Sequence, residues 1–425
     1  MRELEVKVVM RLGMQFSIAK LVARGDFSDF DGWGFEVEAM VACLCHRLPI
    51  EFQTISGSAV QQRLVEAHMR LCVNFDPRDS SMLTVSTSEP ILAEAAFVIM
   101  RRKRFDLLGA LLWLLRGPLE NKGDRGELVA LILLLLARDD VIAKKNEAML
   151  QKECILPSYL SDESDQYPRH LGEPSLCDWN RVLSVPEFLH ALFGELGGVR
   201  ADIDTLFKDT RMHFNHFVKV HEQELLRSQY LAGLLMRGAA VLCVDRPMPV
   251  DAAIPFSFQD AIDRWFIGHI LVRIENDSKY GDDIVPELFD HIDPVALGIT
   301  ELEPGDTEPL PVVRIVFALA SPRPAVKARK VPVYLEDGRS YWAIDIWCAG
   351  ISASCLPIVE SKDEEQWKEI IAYTQPWIAN YISPGEKSVK EYLWRMTPCR
   401  SKERRFWEFS PSILESESPV TQQTQ

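Results

Sequence analysis

The sequence predicts an α/β fold, with α+β as the open alternative: a helical N-terminal region followed by a mixed-sheet domain flanked by helices. Three observations carry this. Residues 1 to about 155 space their apolar side chains at helical intervals. From residue 239 onward the apolar runs shorten, gain β-branched residues and are separated by turn residues. Helical spacing then returns at DEEQWKEIIAYTQ, so helices, strands and a helix follow one another in one chain.

The elements follow in order. Segments 35–48 and 59–71 carry apolar residues at helical spacing. SEPILAEAAFVIM opens a helix with Pro90 in its first turn, where a missing N–H costs nothing. Gly117 and Pro118 break the pattern, and DRGELVALILLLLARDD restarts it with Asp124 as N-cap. This last helix is apolar on nearly every side and must be enclosed by other helices. VPEFLHALFGELGG predicts a helix closed by Gly197 and Gly198. Segments 202–224 and 225–238 read as two more helices, or one long helix with a joint. Strands are expected at 239–244, 251–256, 269–274, 312–320, 331–335 and 341–348, the last two joined by an Asp337-Gly338 hairpin turn. The division that results is 1–157 mostly helical, 158–179 a polar linker or long loop, 180–382 an α/β domain, and 383–425 a helix and disordered tail.

Composition narrows the function classes. The chain has 425 residues, 47% of them hydrophobic, so a core can form without disulfides or a structural metal. A formal net charge of −15 disfavours nucleic acid as a partner unless a basic patch is set apart. Two basic clusters exist in the second half, RPAVKARK at 323–330 and RSKERR at 400–405, the second followed by Phe406 and Trp407. Nine cysteines, an odd number scattered through apolar runs, suggest reduced thiols and a cytoplasmic or nuclear protein. RRKR at 101–104 suits a nuclear signal or, more simply, a solvated helix end. The apolar runs 107–115 and 128–137 fall short of the roughly 20 residues that span a bilayer, so they read as buried helices and no membrane partner is expected.

Most catalytic signatures are missing. There is no phosphate-binding loop, GxGxxG, HExxH, GxSxG or kinase set; GEKS at 385–388 lacks its first glycine. Cys43, Cys45 and His46 have metal-ligand chemistry but no second pair at workable spacing. His213, His216 and His221 fall on one expected helix, with His221 rotated away.

One constellation remains. RMHFNHFVKV, LAGLLMRGAAVLC, VDAAIP and ILVRIEN follow one another between Arg211 and Asn276. With DRGELVALILLLLARD and YWAIDIWCAGISASCLPIV, they resemble a family of uncharacterised proteins from mushroom-forming (basidiomycete) fungi. That family's pattern, an Asp on one strand and Gln/Glu-x-Lys on the next, is similar to the PD-(D/E)xK nucleases, whose core runs helix, three strands, helix, strand. In such a site two acids hold Mg²⁺ and the lysine polarises water or phosphate. Carried onto this chain, the first acid is Asp251, the second acid becomes Arg273 and the lysine becomes Glu275. Arginine has no acceptor for a metal. Glu275 could replace the lost ligand, assisted by Glu222 or Glu224 on the preceding helix.

Several readings stay open. The charges are ordinary strand-edge residues, with an Arg273–Glu275 or Arg273–Asp251 ion pair as the simplest outcome. Alternatively, an inactive nuclease-like domain, without cofactor, serves binding or assembly with a protein partner. A third reading is an active Mg²⁺-dependent nuclease with a rearranged site built from Asp251 and Glu275. A helical scaffold or regulatory partner protein, using 107–115 and 128–137 as an exposed interface, is the fourth. Between Asp245 and Glu308, 15 acids face four bases, which argues against cleavage of a polyanion.

Overall fold

A computed structural model of the protein describes residues 2–24, 34–54, 59–77, 81–116, 125–147, 180–244, 248–300, 309–335 and 337–374. The expected linker 158–179, tail 383–425, N-cap Asp124 and basic cluster 400–405 lie outside them.

The helical half begins with α1 (Arg2–Val22) and α2 (Val37–Arg47). It continues through α3 (Ala59–Ala67), α4 (Pro90–Met100), α5 (Leu107–Arg116) and α6 (Arg125–Lys145). Interleaved is a three-stranded antiparallel sheet of β1 (Phe52–Thr54), β2 (Arg70–Asp76) and β3 (Ser81–Ser86), ordered β1-β3-β2. It corrects the expected helix over 59–71, which ends at Ala67. In α6 an unbroken run from Leu128 to Leu135 is at most 2% exposed, so this apolar helix is enclosed.

The second half holds α7 (Val185–Phe193), α8 (Arg200–Leu206), β4 (Arg211–Met212) and β5 (His216–Val220). Then come α9 (Ser228–Arg237), β6 (Ala239–Cys243), β7 (Ala252–Ser257) and β8 (Ile267–Ile274). The chain continues through α10 (Pro286–Asp290), β9 (Val312–Ala318), β10 (Ala325–Tyr334), β11 (Ser340–Ala349) and α11 (Glu364–Thr374). Ser184 and Glu187 form a capping box at the start of α7, and the helix ends at Gly194 (φ 65°) rather than at Gly197.

The large sheet has the order β10-β11-β9-β8-β7-β6-β5, with β4 also pairing β7. The β6-β7-β8 meander is antiparallel, while β9 lies parallel to both β8 and β11. One face packs on α1–α8 and α11 through a continuous core running from Met14 to Ile371. The other face packs on α9 and α10 through Leu231, Leu235, Leu288 and Phe289. The protein is thus an α/β fold with a helical N-terminal region, and none of its helices among the described residues is long and apolar enough to cross a membrane.

The expected helix over 202–224 is corrected. Only Arg200–Leu206 is helical; RMHFNHFVKV forms β4 and β5, and β5 pairs parallel with β6 through His216↔Ala239 and Val220↔Cys243. The i, i+3, i+6 spacing of Phe214, Phe217 and Val220 is helical, and pairing with the free edge of β6 overrides it.

A charge network joins the two halves beneath this edge. Arg138 of α6 donates to Glu94 of α4 at 3.1 and 3.2 Å and to its neighbour Asp139 at 3.1 Å. Arg47 of α2 grips Asp139 through both terminal nitrogens at 2.5 and 2.8 Å and donates to Asn215 O at 3.0 Å. Asn215 Nδ2 and Arg181 Nε complete the shell of Glu94 at 2.9 and 3.1 Å. Arg47 and Arg138 are fully buried. Glu94 is nonetheless held down at a pKa of about 2: burial opposes ionisation, but Arg138, Arg181 and the Asn215 amide outweigh it.

Candidate functional site at the strand ends

Asp251 stands just before β7, between the ends of β6 and β8. Its N–H donates to Val272 O at 2.9 Å, and its carbonyl accepts from Cys243 N at 2.8 Å. The register Ala252↔Val272 therefore brings Asp251 opposite Arg273. Strand alternation puts Asp251, Arg273 and Glu275 on the face that carries Ala253, Leu271, Val316 and Trp347. The three residues that the resemblance singles out thus meet on one face, across two adjacent strands.

Their contacts are specific. Asp251 Oδ2 accepts from Ile274 N at 2.6 Å, a donor left free where the β7–β8 ladder ends. Arg273 and Glu275 form the ion pair that their spacing suggests, with Nε and Nη2 each 2.8 Å from Glu275 Oε1. Glu275 N donates to Phe317 O at 2.7 Å, which fixes the strand end. Both side chains remain about one fifth exposed, 22% and 19%. Beyond them the chain folds over the sheet: Tyr280 meets Trp347 edge-on at 6.0 Å, and Trp347 Nε1 donates to Gly281 O at 3.2 Å. Asp282 and Asp283 hold Lys327 of β10 at 3.6 and 2.9 Å.

Burial pushes the Asp251 carboxyl up from 3.8 to about 7; Ile274 N–H and Arg273 pull it back, and Glu275 pushes it further. The Tyr280 phenol is also raised, first by burial and then by the Glu275 charge.

This set does not fit Mg²⁺. Arg273 occupies Glu275 from the position where a second acid is required, and its guanidinium offers no lone pair to a metal. Glu222 and Glu224 do not complete the set. They stand on no helix: Glu222 precedes a 3-10 turn (Gln223–Leu226) beyond β5, Glu224 lies within it, and both are exposed. The local cause is the strand β5, which replaces the expected helix. Among the described residues no group of three His, Cys, Asp or Glu is arranged to hold a metal.

The other candidates resolve structurally. Cys43 and Cys45 are buried in α2, where His46 Nε2 binds His68 O at 3.1 Å and burial pushes the Cys43 thiol up. His216 lies on β5, not on a helix with His213 and His221; its ring bridges Asn215 Oδ1 and Ser88 Oγ, both at 2.7 Å. Of the basic cluster 323–330, Arg323, Lys327, Arg329 and Lys330 each face an acid: Asp282, Asp283, Asp345 and Asp202. That cluster is therefore largely neutralised within the fold. A cleft at the other end of the strands is lined by His269, Thr300, Pro311 and Tyr341. There His269 Nε2 meets Thr300 Oγ1 at 3.0 Å, and burial lowers the imidazole to about 4.

Sequence reasoning missed the Glu94–Arg138–Asp139–Arg47 network. Its signal was present: an Arg-Asp pair inside an otherwise apolar helix needs buried partners. No family model, curated protein or solved structure matches the chain.

Proposed function

We propose that the protein is a cytoplasmic or nuclear binding or assembly protein, built on a PD-(D/E)xK-like domain that no longer cleaves, and that it belongs with the fungal family it resembles. The observation that carries this is the Arg273–Glu275 pair. A guanidinium stands where that chemistry needs an acid, and it engages the one carboxylate that could substitute. The order α9, β6, β7, β8, α10, β9, with an antiparallel meander and a parallel last strand, supports the nuclease-like reading. The surrounding acids favour a protein partner over nucleic acid.

The test is Mg²⁺ and Mn²⁺ calorimetry with a plasmid-nicking assay, on wild type, Asp251→Ala and the double variant Arg273→Asp/Glu275→Lys. Wild type is expected to bind neither ion and to leave plasmid intact. The double variant, which rebuilds the acid-x-lysine strand, is expected to gain metal binding that Asp251→Ala then removes. Metal binding and nicking by wild type, both lost in Asp251→Ala, would replace this reading with a Mg²⁺-dependent nuclease using Asp251 and Glu275.

A further inference from the structure

The apolar runs 107–115 and 128–137 are largely buried and offer no docking surface. Where the two halves meet, polar side chains instead form one chain of hydrogen bonds. Ser88, half-buried between β3 and α4, places its Oγ 2.7 Å from His216 Nε2 of β5. His216 Nδ1 lies 2.7 Å from Asn215 Oδ1. Asn215 Nδ2 donates to Glu94 Oε2 at 2.9 Å and to Pro90 O at 3.0 Å. His216, Asn215 and Glu94 are all buried.

This order fixes the protons. Glu94 is ionised and can only accept. The Asn215 amide therefore turns its NH₂ toward Glu94 and its oxygen toward the ring. His216 then carries its proton on Nδ1, and Nε2 keeps a lone pair for the Ser88 hydroxyl. Burial, then Arg237, Arg47 and His213, lower the imidazole to about 4, so it stays neutral and accepting. Main-chain bonds hold Asn215 from both sides: its N–H donates to Gly238 O at 2.8 Å, and its carbonyl accepts from Arg47 Nε at 3.0 Å. Arg237, at the end of α9 and half exposed, donates from Nε to Ser88 Oγ at 3.0 Å and from Nη2 to the Ser88 carbonyl.

We propose that Ser88 is the nucleophile of an acyl-transfer site for small carboxylic esters, with His216 as its base and Arg237 beside the developing charge. A hydroxyl bonded to a base whose other nitrogen is held by a third group is the arrangement that activates serine. Ser88 Oγ attacks the ester carbonyl, its proton passes to His216 Nε2, and that proton leaves with the alcohol. Water then gives a proton to the same nitrogen and its oxygen to the acyl group, and Ser88 takes the proton back. Arg237 Nε offsets the negative charge of the tetrahedral adduct. Because Ser88 is half-buried and Arg237 half exposed, a short acyl group reaches Oγ from solvent. The site shares no residue with the Asp251 site, and either can fail without the other.

The full chain mixed with p-nitrophenyl acetate, an activated ester that suits so weak a base, tests this. Wild type is expected to release p-nitrophenolate above the buffer rate and to carry an acetyl group on Ser88, mapped by peptide mass spectrometry. Ser88→Ala and His216→Gln should each lower the enzyme-dependent rate about 100-fold or more. Ser88→Ala removes one half-buried hydroxyl, so its melting temperature should stay close to wild type. Ser88→Cys gives a second reading that needs no ester. At pH 7 its new thiol, paired with His216, should react with iodoacetamide about tenfold faster than Cys72, an exposed thiol of the same chain. A wild type without acetyl on Ser88 overturns the proposal. So does an adduct that His216→Gln leaves undiminished, or a Ser88→Cys thiol no more reactive than Cys72.

Discussion

Two places in the molecule set arginine against carboxylates, with opposite results. Around Glu94, three donors of the protein (Arg138, Arg181 and Asn215) converge on one buried carboxylate and hold it ionised, at about 2. At the strand ends, Arg273 turns to Glu275 and leaves Asp251, among the described residues, a single 2.6 Å side-chain bond from Ile274 N; its carboxyl rises to about 7. Burial opposes ionisation in both. The number of donors aimed at the group decides the sign. A buried acid is stable as an anion only where the fold supplies a full shell, and the Asp251 site at the strand ends is the one left incomplete.

The sharpest way to break this contrast is to remove a cation from each place. Arg138→Met leaves buried Glu94 with Arg181 and Asn215 alone and buried Asp139 with Arg47 alone, and should cost about 3–5 kcal/mol, enough to unfold a marginal domain. Urea denaturation reads it, and a loss below about 1 kcal/mol would show the network to be dispensable.

Next in size is an acid effect. His46, His216 and His269 are lowered from 6.5 to about 4, in each case first by burial. Their folded pKa lies below the unfolded one, so the stability they contribute is full above about 6.5 and is lost as pH falls toward 4. Asp251 acts in the opposite sense over part of that range. A net loss of about 2–4 kcal/mol between pH 7 and pH 5 is expected, with proton uptake on unfolding. Stability that is flat across this window would contradict neutral buried imidazoles.

Asp251→Asn isolates the second place. A folded pKa of about 7 against 3.8 unfolded means that stability falls as pH rises through 7. The variant keeps an acceptor for Ile274 N–H, and the stability it gains should be about 2–3 kcal/mol larger at pH 8 than at pH 5. Equal effects at both values would place the carboxyl in ordinary ionised form. Smallest is Arg273→Ala: a pair one fifth exposed should contribute about 1 kcal/mol or less, and its removal should push Asp251 higher still, read by the pH dependence of the same denaturation curves.

Much of the fold was legible locally. The helices α2, α4, α5 and α6 and the strands β6 to β9 and β11 fall within a few residues of the expected spans, because their apolar period is unambiguous or their ends carry Pro or Gly. The Asp337-Gly338 turn joins β10 and β11 as expected, with Gly338 at φ 86° and Arg339 N bonded to Asp337 Oδ1. The candidate site was legible in part: strand alternation alone puts Arg273 and Glu275 on one side. That Asp251 lies opposite Arg273 required the β7–β8 register.

By itself, then, the sequence determined what depends on a window of neighbouring residues: helix and strand periods, caps, turns, and the spacing of Arg273 and Glu275. The tertiary structure decided what depends on partners far along the chain. It made 211–220 a strand pair by offering the edges of β6 and β7, and it exposed Glu222 and Glu224. It enclosed Arg138 by bringing Glu94 from 44 residues away, and it left Asp251 short of donors. Main-chain pairing and desolvation are set by whatever arrives from elsewhere, and no local pattern records that.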